Sequence, residues 1–164
     1  MANKGGKNKN KRVSLPKARQ ILRKAHIWAI RPKAGAHPQK AALPLGEVIR
    51  EKLGLANNRR EIKAVLNTHQ VWVDEKVRAD LQFAIGLFDI VRIDAEKKRY
   101  RVVFDAKGKL QLREMDAKEK SLKVCRIINK KRVGESEFQF TTHDSRTFVE
   151  KNSKAKIGDS FVVE

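Results

Sequence analysis

No acidic side chain occurs before Glu47. Between Met1 and Gly46 the chain holds twelve lysines and arginines and neither aspartate nor glutamate. Such a segment repels itself, so it settles against a structure only where a partner supplies negative charge. The imbalance divides the chain. Glu47–Asp94 carries eight basic and eight acidic residues, and Ala95–Glu164 carries eighteen basic and eleven acidic ones. The net charge of +19 over 164 residues calls for a polyanion, either nucleic acid or an anionic membrane surface. No apolar run approaches the roughly 20 residues of a membrane helix. No apolar stretch follows the charged N-terminus, so it does not read as a secretory signal. The arm also lacks a sustained amphipathic helix, which ranks a membrane surface last. Cys125 is the single cysteine, so an internal disulfide and a Cys-rich zinc site are both excluded. The chain reads as a soluble, intracellular protein of one large domain or two small ones.

Residues 1–41 read as a basic arm and tether. ANKGGKNKNKRVS is dominated by Lys, Asn and Gly and offers little apolar surface against chain entropy, so disorder in isolation is expected. It is either a solubilising tail or a segment that orders along phosphates. Pro16 opens a short helix, and Trp28 either stacks on a base or docks on the next module. Two prolines and a glycine break RPKAGAHPQK into a tether. The candidate phosphate contacts here are Lys7, Lys9, Lys11, Arg12, Lys17, Arg19, Arg31 and Lys33.

Residues 42–94 read as a small folded module. Leu45, Val48, Ile49, Leu53 and Leu55 recur at offsets of three and four, one face of a short helix with Gly54 as its stop. Asn57 or Asn58 caps a second helix, with Glu61 completing a capping box. That helix buries Ile62, Val65 and Leu66 and carries Arg59, Arg60 and Lys63 near its N-terminal end and outer face. Cations there oppose the helix dipole by a few tenths of a kcal/mol, which points to a bound anion or to an ordinary solvated face. QVWVDEKVRAD then reads as strand, tight turn and return, and FAIGLFDIVRID as a further strand.

NRREIKAVLNTHQVWVDEKV resembles the helix–strand–turn core of the RNA-binding module named after bacterial ribosomal protein S-four. The resemblance implies that the second helix and the following turn grip folded RNA. It carries onto the pair Arg59 and Arg60, onto Lys63 one turn later, and onto Lys76 and Arg78 at the hairpin. Two positions depart from it. His69 and Glu75 stand where the module usually has glycine, in slots that favour positive φ at a cost of order 1 kcal/mol to other residues. A looser turn is the expectation.

Residues 95–164 read as a β-rich module. RYRVVF and KLQLRE flank DAKG, a hairpin with Gly108 at its turn. Asp116–Lys120 has a D-x-x-E pattern for one helical turn. LKVCRII, EFQFTT, RTFVE and DSFVVE recur at a spacing that argues for a small antiparallel sheet or barrel. Lys130, Lys131 and Arg132, read as lying between strands, are either a charged edge that blocks strand pairing or phosphate contacts. The fold class is therefore α+β: extended basic arm, helix-helix-strand module, antiparallel β-sheet or barrel.

KRVSLPK, IRPKAGAHPQK, LPL, VRADLQFAIGLFDIVRI, the YRVVFDAKGKLQL hairpin, KVCRIINKKRVG, THDSRT and KIGDSFVV occur in this order. Together they resemble the archaeal and eukaryotic small-subunit ribosomal protein four family. The resemblance implies a cytoplasmic, structural binder of small-subunit rRNA, with neighbouring ribosomal proteins as further partners. Family members usually continue into a small barrel with the KOW motif. Glu164 falls where it should begin, as the end of a natural short version or a truncation.

Catalytic readings are weaker. His143 and Asp144 form at most half a constellation, and Cys125 in an apolar β run reads as a buried small hydrophobe. The four histidines lack metal-ligand spacing, and no phosphate loop, GxSxG elbow or dinucleotide fingerprint occurs. No enzyme, cofactor, metal or small-molecule substrate is expected. The alternatives are a transient ribosome-associated factor and, more weakly, an accessory to RNA modification.

Overall fold

The computed structural model describes residues 9–68, 70–116, 121–134, 136–151 and 154–163. Within it the acid-free segment does not stand apart. β1 (Lys9–Lys11) pairs antiparallel with β2 (Trp28–Ile30). Between them, Arg12–Ser14 and Lys17–Arg19 form single 3-10 turns, the second opened by Pro16. In the stretch expected to be disordered, Lys9–Lys11 is thus paired backbone and Arg12 is fully buried, as is Arg19 further along the basic segment. The expected tether is fastened too. His37 is buried, with Nε2 2.9 Å from Asp89 Oδ2, and a Cβ on Gly86 would collide with its ring.

β3 (Leu43–Pro44) pairs with β6 (Ala84–Ile85). The apolar face at Leu45, Val48 and Ile49 folds as α1 (Leu45–Glu47) continued by a π-helical turn over Val48–Lys52, and Gly54 at φ 69° ends it. α2 (Arg59–Asn67) buries Ile62 and Leu66. β4 (Val71–Val73), β5 (Lys76–Val77), β7 (Ile90–Ile93), β8 (Lys98–Phe104) and β9 (Leu110–Glu114) form a five-stranded antiparallel sheet, ordered β5-β4-β7-β8-β9. Its inward valines and isoleucines share one core with α1 and α2, including Val48, Ile49, Ile62, Leu66, Val71, Val91 and Val102. The division expected between Asp94 and Ala95 falls in the turn joining β7 to β8. Backbone hydrogen bonds hold both strands in one sheet.

β10 (Lys123–Arg132), β11 (Glu137–Thr142), β12 (Thr147–Lys151) and β13 (Ser160–Val163) form a second antiparallel sheet, ordered β12-β11-β10-β13. Its outer strands stand three positions apart, yet the rings of Phe148 and Phe161 lie 6.2 Å apart and Phe161 also meets Phe140 edge-on. Such a meeting requires the sheet to curl as a half-barrel around these rings. The fold is mixed α+β with antiparallel sheets. The helical turn expected over Asp116–Lys120 lies, beyond Asp116, outside the described residues.

Candidate nucleic-acid interface

α2 is built by its cap. Asn58 Oδ1 accepts from the backbone N–H of Arg60 and Glu61 at 2.9 and 3.0 Å. Glu61 in turn accepts from the Asn57 N–H at 2.7 Å and from the Asn58 amide. The cap therefore occupies the acid of this turn. Arg59, Arg60 and Lys63 are exposed, and no ion pair joins them to a carboxylate among the described residues. Positive charge from three side chains and from the helix N-terminus then projects into solvent together. Arg59 also lines a hollow of about 110 Å3 with Arg50, Gln82 and the half-exposed Trp28.

The β4–β5 turn is tight, not loose. Asp74 and Glu75 both take left-handed backbone, at φ 49° and 58°. Asp74 is held there by accepting from the Ile90 N–H at 3.0 Å, and Glu75 makes an exposed pair with Arg92 at 3.1 Å. Lys76 leaves this turn exposed, and the Arg78 guanidinium stacks 4.4 Å from the Phe83 ring centre. His69 lies outside the described residues.

Lys76 and Arg78 border a cleft of about 490 Å3 between the two sheets. At its base Lys123 Nζ contacts Asp74 at 2.7 Å, Asp144 at 3.1 Å and also Asp89. Arg146 bridges Asp74 at 2.8 Å and Asp144 at 3.0 Å. Burial opposes ionisation of Asp144, but the Thr142 hydroxyl, Lys123 and Arg146 outweigh it and hold its carboxyl well below the usual aspartate range. Asp89 follows the same pattern, with burial opposed by His37, Lys123 and the Gly86 N–H. Cys125 donates to Asp144 at 3.6 Å, and burial with that carboxylate pushes its thiol up to about 11. A thiol held neutral in this way is no nucleophile. His143 is turned to the backbone, its Nδ1 accepting from the Arg126 N–H at 3.2 Å. Among the described residues no three His, Cys, Asp or Glu side chains are arranged to hold a metal ion.

Comparison with known proteins identifies the family. A model described as ribosomal family S4e matches residues 96–164. The chain is 37% identical to small ribosomal subunit protein eS4 of Methanocaldococcus jannaschii, an alignment covering 99% of this chain and 69% of that one. The chain belongs to the ribosomal S4e family. The Tetrahymena thermophila member, also named small ribosomal subunit protein eS4, is 35% identical over 96% of this chain and 61% of its own length. The crystal structure of the 30S ribosomal protein S4e from Thermoplasma acidophilum superposes with a TM-score of 0.65 at 31% identity, over 75% of this chain and 63% of that one. This chain thus spans about three-fifths of those two S4e relatives.

The S4e fold sorts the cations that the sequence grouped together. Arg12 and Arg19, expected on phosphate, are consumed internally. Arg12 donates to the carbonyls of Leu22 at 2.9 Å and Trp28 at 3.3 Å and pairs with Glu51. Arg19 donates to Glu47 at 3.1 Å and to the Ile30 carbonyl at 2.8 Å. Lys33 pairs with Asp80, and Arg31 is half-buried. Lys11 and Lys17 are exposed, whereas Lys7 and the side chain of Lys9 lie outside the described residues. Lys130, Lys131 and Arg132 sit inside β10, opposite Phe140, Gln139 and Phe138, and not between strands. Lys130 donates to the Ala155 carbonyl at 2.8 Å and covers Phe138, Arg132 donates to the Gly134 carbonyl at 3.0 Å, and Lys131 is exposed. The cleft network escaped the sequence reading. Its signal was the alternation Lys123, Cys125, Ile127, which puts a lysine on the inward face of β10.

Proposed function

We propose that this chain is a structural constituent of the small ribosomal subunit, binding and stabilising folded small-subunit rRNA through phosphate and shape contacts. The observation that carries the reading is the exposed, uncompensated set Arg59, Arg60 and Lys63 at the capped start of α2. The printed names of its S4e relatives supply the setting. We assign the RNA-binding module to residues 42–94, with α2 and the β4–β5 turn as its gripping face. The working cations are Lys11, Lys17, Arg59, Arg60, Lys63, Lys76, Arg78 and Lys131.

The mechanism is physical and not catalytic. Each cation that neutralises a phosphate releases counterions, adding close to one unit to the log–log salt slope. Folded RNA is read through its backbone and 2′-hydroxyls, which suits a surface rich in lysine and arginine and poor in exposed aromatics. Neighbouring ribosomal proteins complete the partner set, and neither membrane nor small-molecule substrate enters the account. Changing Arg59, Arg60 and Lys63 together to alanine weakens rRNA affinity and lowers the salt slope by about two to three units while the fold persists. Filter binding at several salt concentrations, with circular dichroism as control, reads both. Unchanged affinity and slope would overturn the assignment of α2.

A further inference from the structure

The cleft between the sheets has a feature that surface phosphate contacts do not require: aromatic walls. Phe83 and Phe148 both line it, and the first carries the Arg78 guanidinium as a stacked plane. At its base Asp74, Asp89 and Asp144 are taken up by Lys123 and Arg146, with the His37 ring against Asp89. Lys76 and Arg78 stand outside this network. No carboxylate pairs with either among the described residues, and Arg78 Nε is buried without a hydrogen-bond partner. The cleft of about 490 Å3 is sized for one small ligand and excludes a duplex. Flat apolar walls, a stacked guanidinium and a cation at the mouth match the chemistry of a nucleotide with its base unstacked.

We propose that this cleft takes a single unstacked nucleotide of the bound RNA. The base enters between Phe148 and the Arg78–Phe83 stack, and its phosphate sits on Lys76. The proposal rests on the rRNA-binding reading and deepens it, adding one extruded base to a surface that otherwise reads shape. A purely phosphate-binding cleft would need no aromatic wall.

The test titrates the whole chain, observed by amide NMR, with the four ribonucleoside 5′-monophosphates, ribose 5-phosphate and inorganic phosphate. At least one mononucleotide is expected to shift the amides of His37, Arg78 and Phe148 and to bind at least tenfold tighter than ribose 5-phosphate. Thr147→Trp, which fills the cleft mouth, is expected to abolish that preference. Ala36→Trp serves if the first variant fails to fold. Equal shifts from ribose 5-phosphate or inorganic phosphate would reduce the cleft to an anion site and overturn the proposal, as would a preference that survives a folded blocking variant. Filter binding of small-subunit rRNA runs in parallel. Retained rRNA binding with no mononucleotide response sinks the cleft alone, whereas loss of rRNA binding by the unaltered chain sinks the reading beneath it as well.

Discussion

Arg19 Nε donates to Glu47 Oε2 at 3.1 Å, and both side chains are sealed from water. The pair locks the first acidic residue of the chain to the segment that has none. Burial lifts the Glu47 carboxyl above its ordinary value, with Arg19 pulling against it. Breaking such a pair strands the surviving charge in a desolvated site. Arg19→Met leaves the Glu47 carboxylate without its partner and is expected to destabilise the fold by about 3–5 kcal/mol, whereas Glu47→Gln, which mimics the neutral form that burial already favours, is expected to cost less than about 1 kcal/mol. Urea unfolding reads this directly. A loss below about 1 kcal/mol for Arg19→Met would show that the buried carboxyl needs no counter-charge.

Acid should loosen the cleft between the sheets. Asp144 and Asp89 are both held below the ordinary aspartate value of 3.8, so the unfolded chain takes up their protons first. Stability from these groups is present above that value and drains as pH falls through and below it. Glu47, raised by burial, acts in the opposite sense, gaining as it protonates. Asp144→Asn is expected to lower stability by roughly 1–3 kcal/mol at neutral pH and to flatten the acid limb. Unfolding free energies near pH 7 and near pH 3 test this. An acid limb as steep as in the unaltered chain would place the titrating groups elsewhere.

Glu75 holds left-handed backbone at φ 58°, a conformation glycine adopts without steric cost. Its pair with Arg92 is largely exposed, so that contact contributes little. Glu75→Gly is therefore expected to be neutral or to stabilise by up to about 1 kcal/mol. Thermal unfolding decides the matter. A loss beyond about 1 kcal/mol would mean that the Arg92 contact, and not backbone preference, holds the turn.

Local patterns were legible wherever one short stretch determined its own structure. The Asn58–Glu61 cap, the Gly54 stop and the Gly108 turn all follow from neighbours within a few residues. Long-range pairing was not legible. Nothing near Arg12 announces Glu51, thirty-nine residues on, so a run of exposed-looking cations concealed two buried ones. His37 and Asp89 are fifty-two residues apart, and the proline-rich stretch around His37 reads as a tether until Gly86 makes room for the ring. The charge balance changes at Asp94 while the sheet continues across that point, so charge and backbone pairing divide the chain differently.

Sedimentation tests the central claim most directly. Native lysate is resolved on a sucrose gradient, the small-subunit fraction is washed in high salt, and this chain is quantified by mass spectrometry. A structural constituent held by many phosphate contacts is expected to remain at about one copy per small subunit. Release by the wash, or sedimentation away from the subunit, would contradict the account and identify a factor that visits the ribosome only transiently.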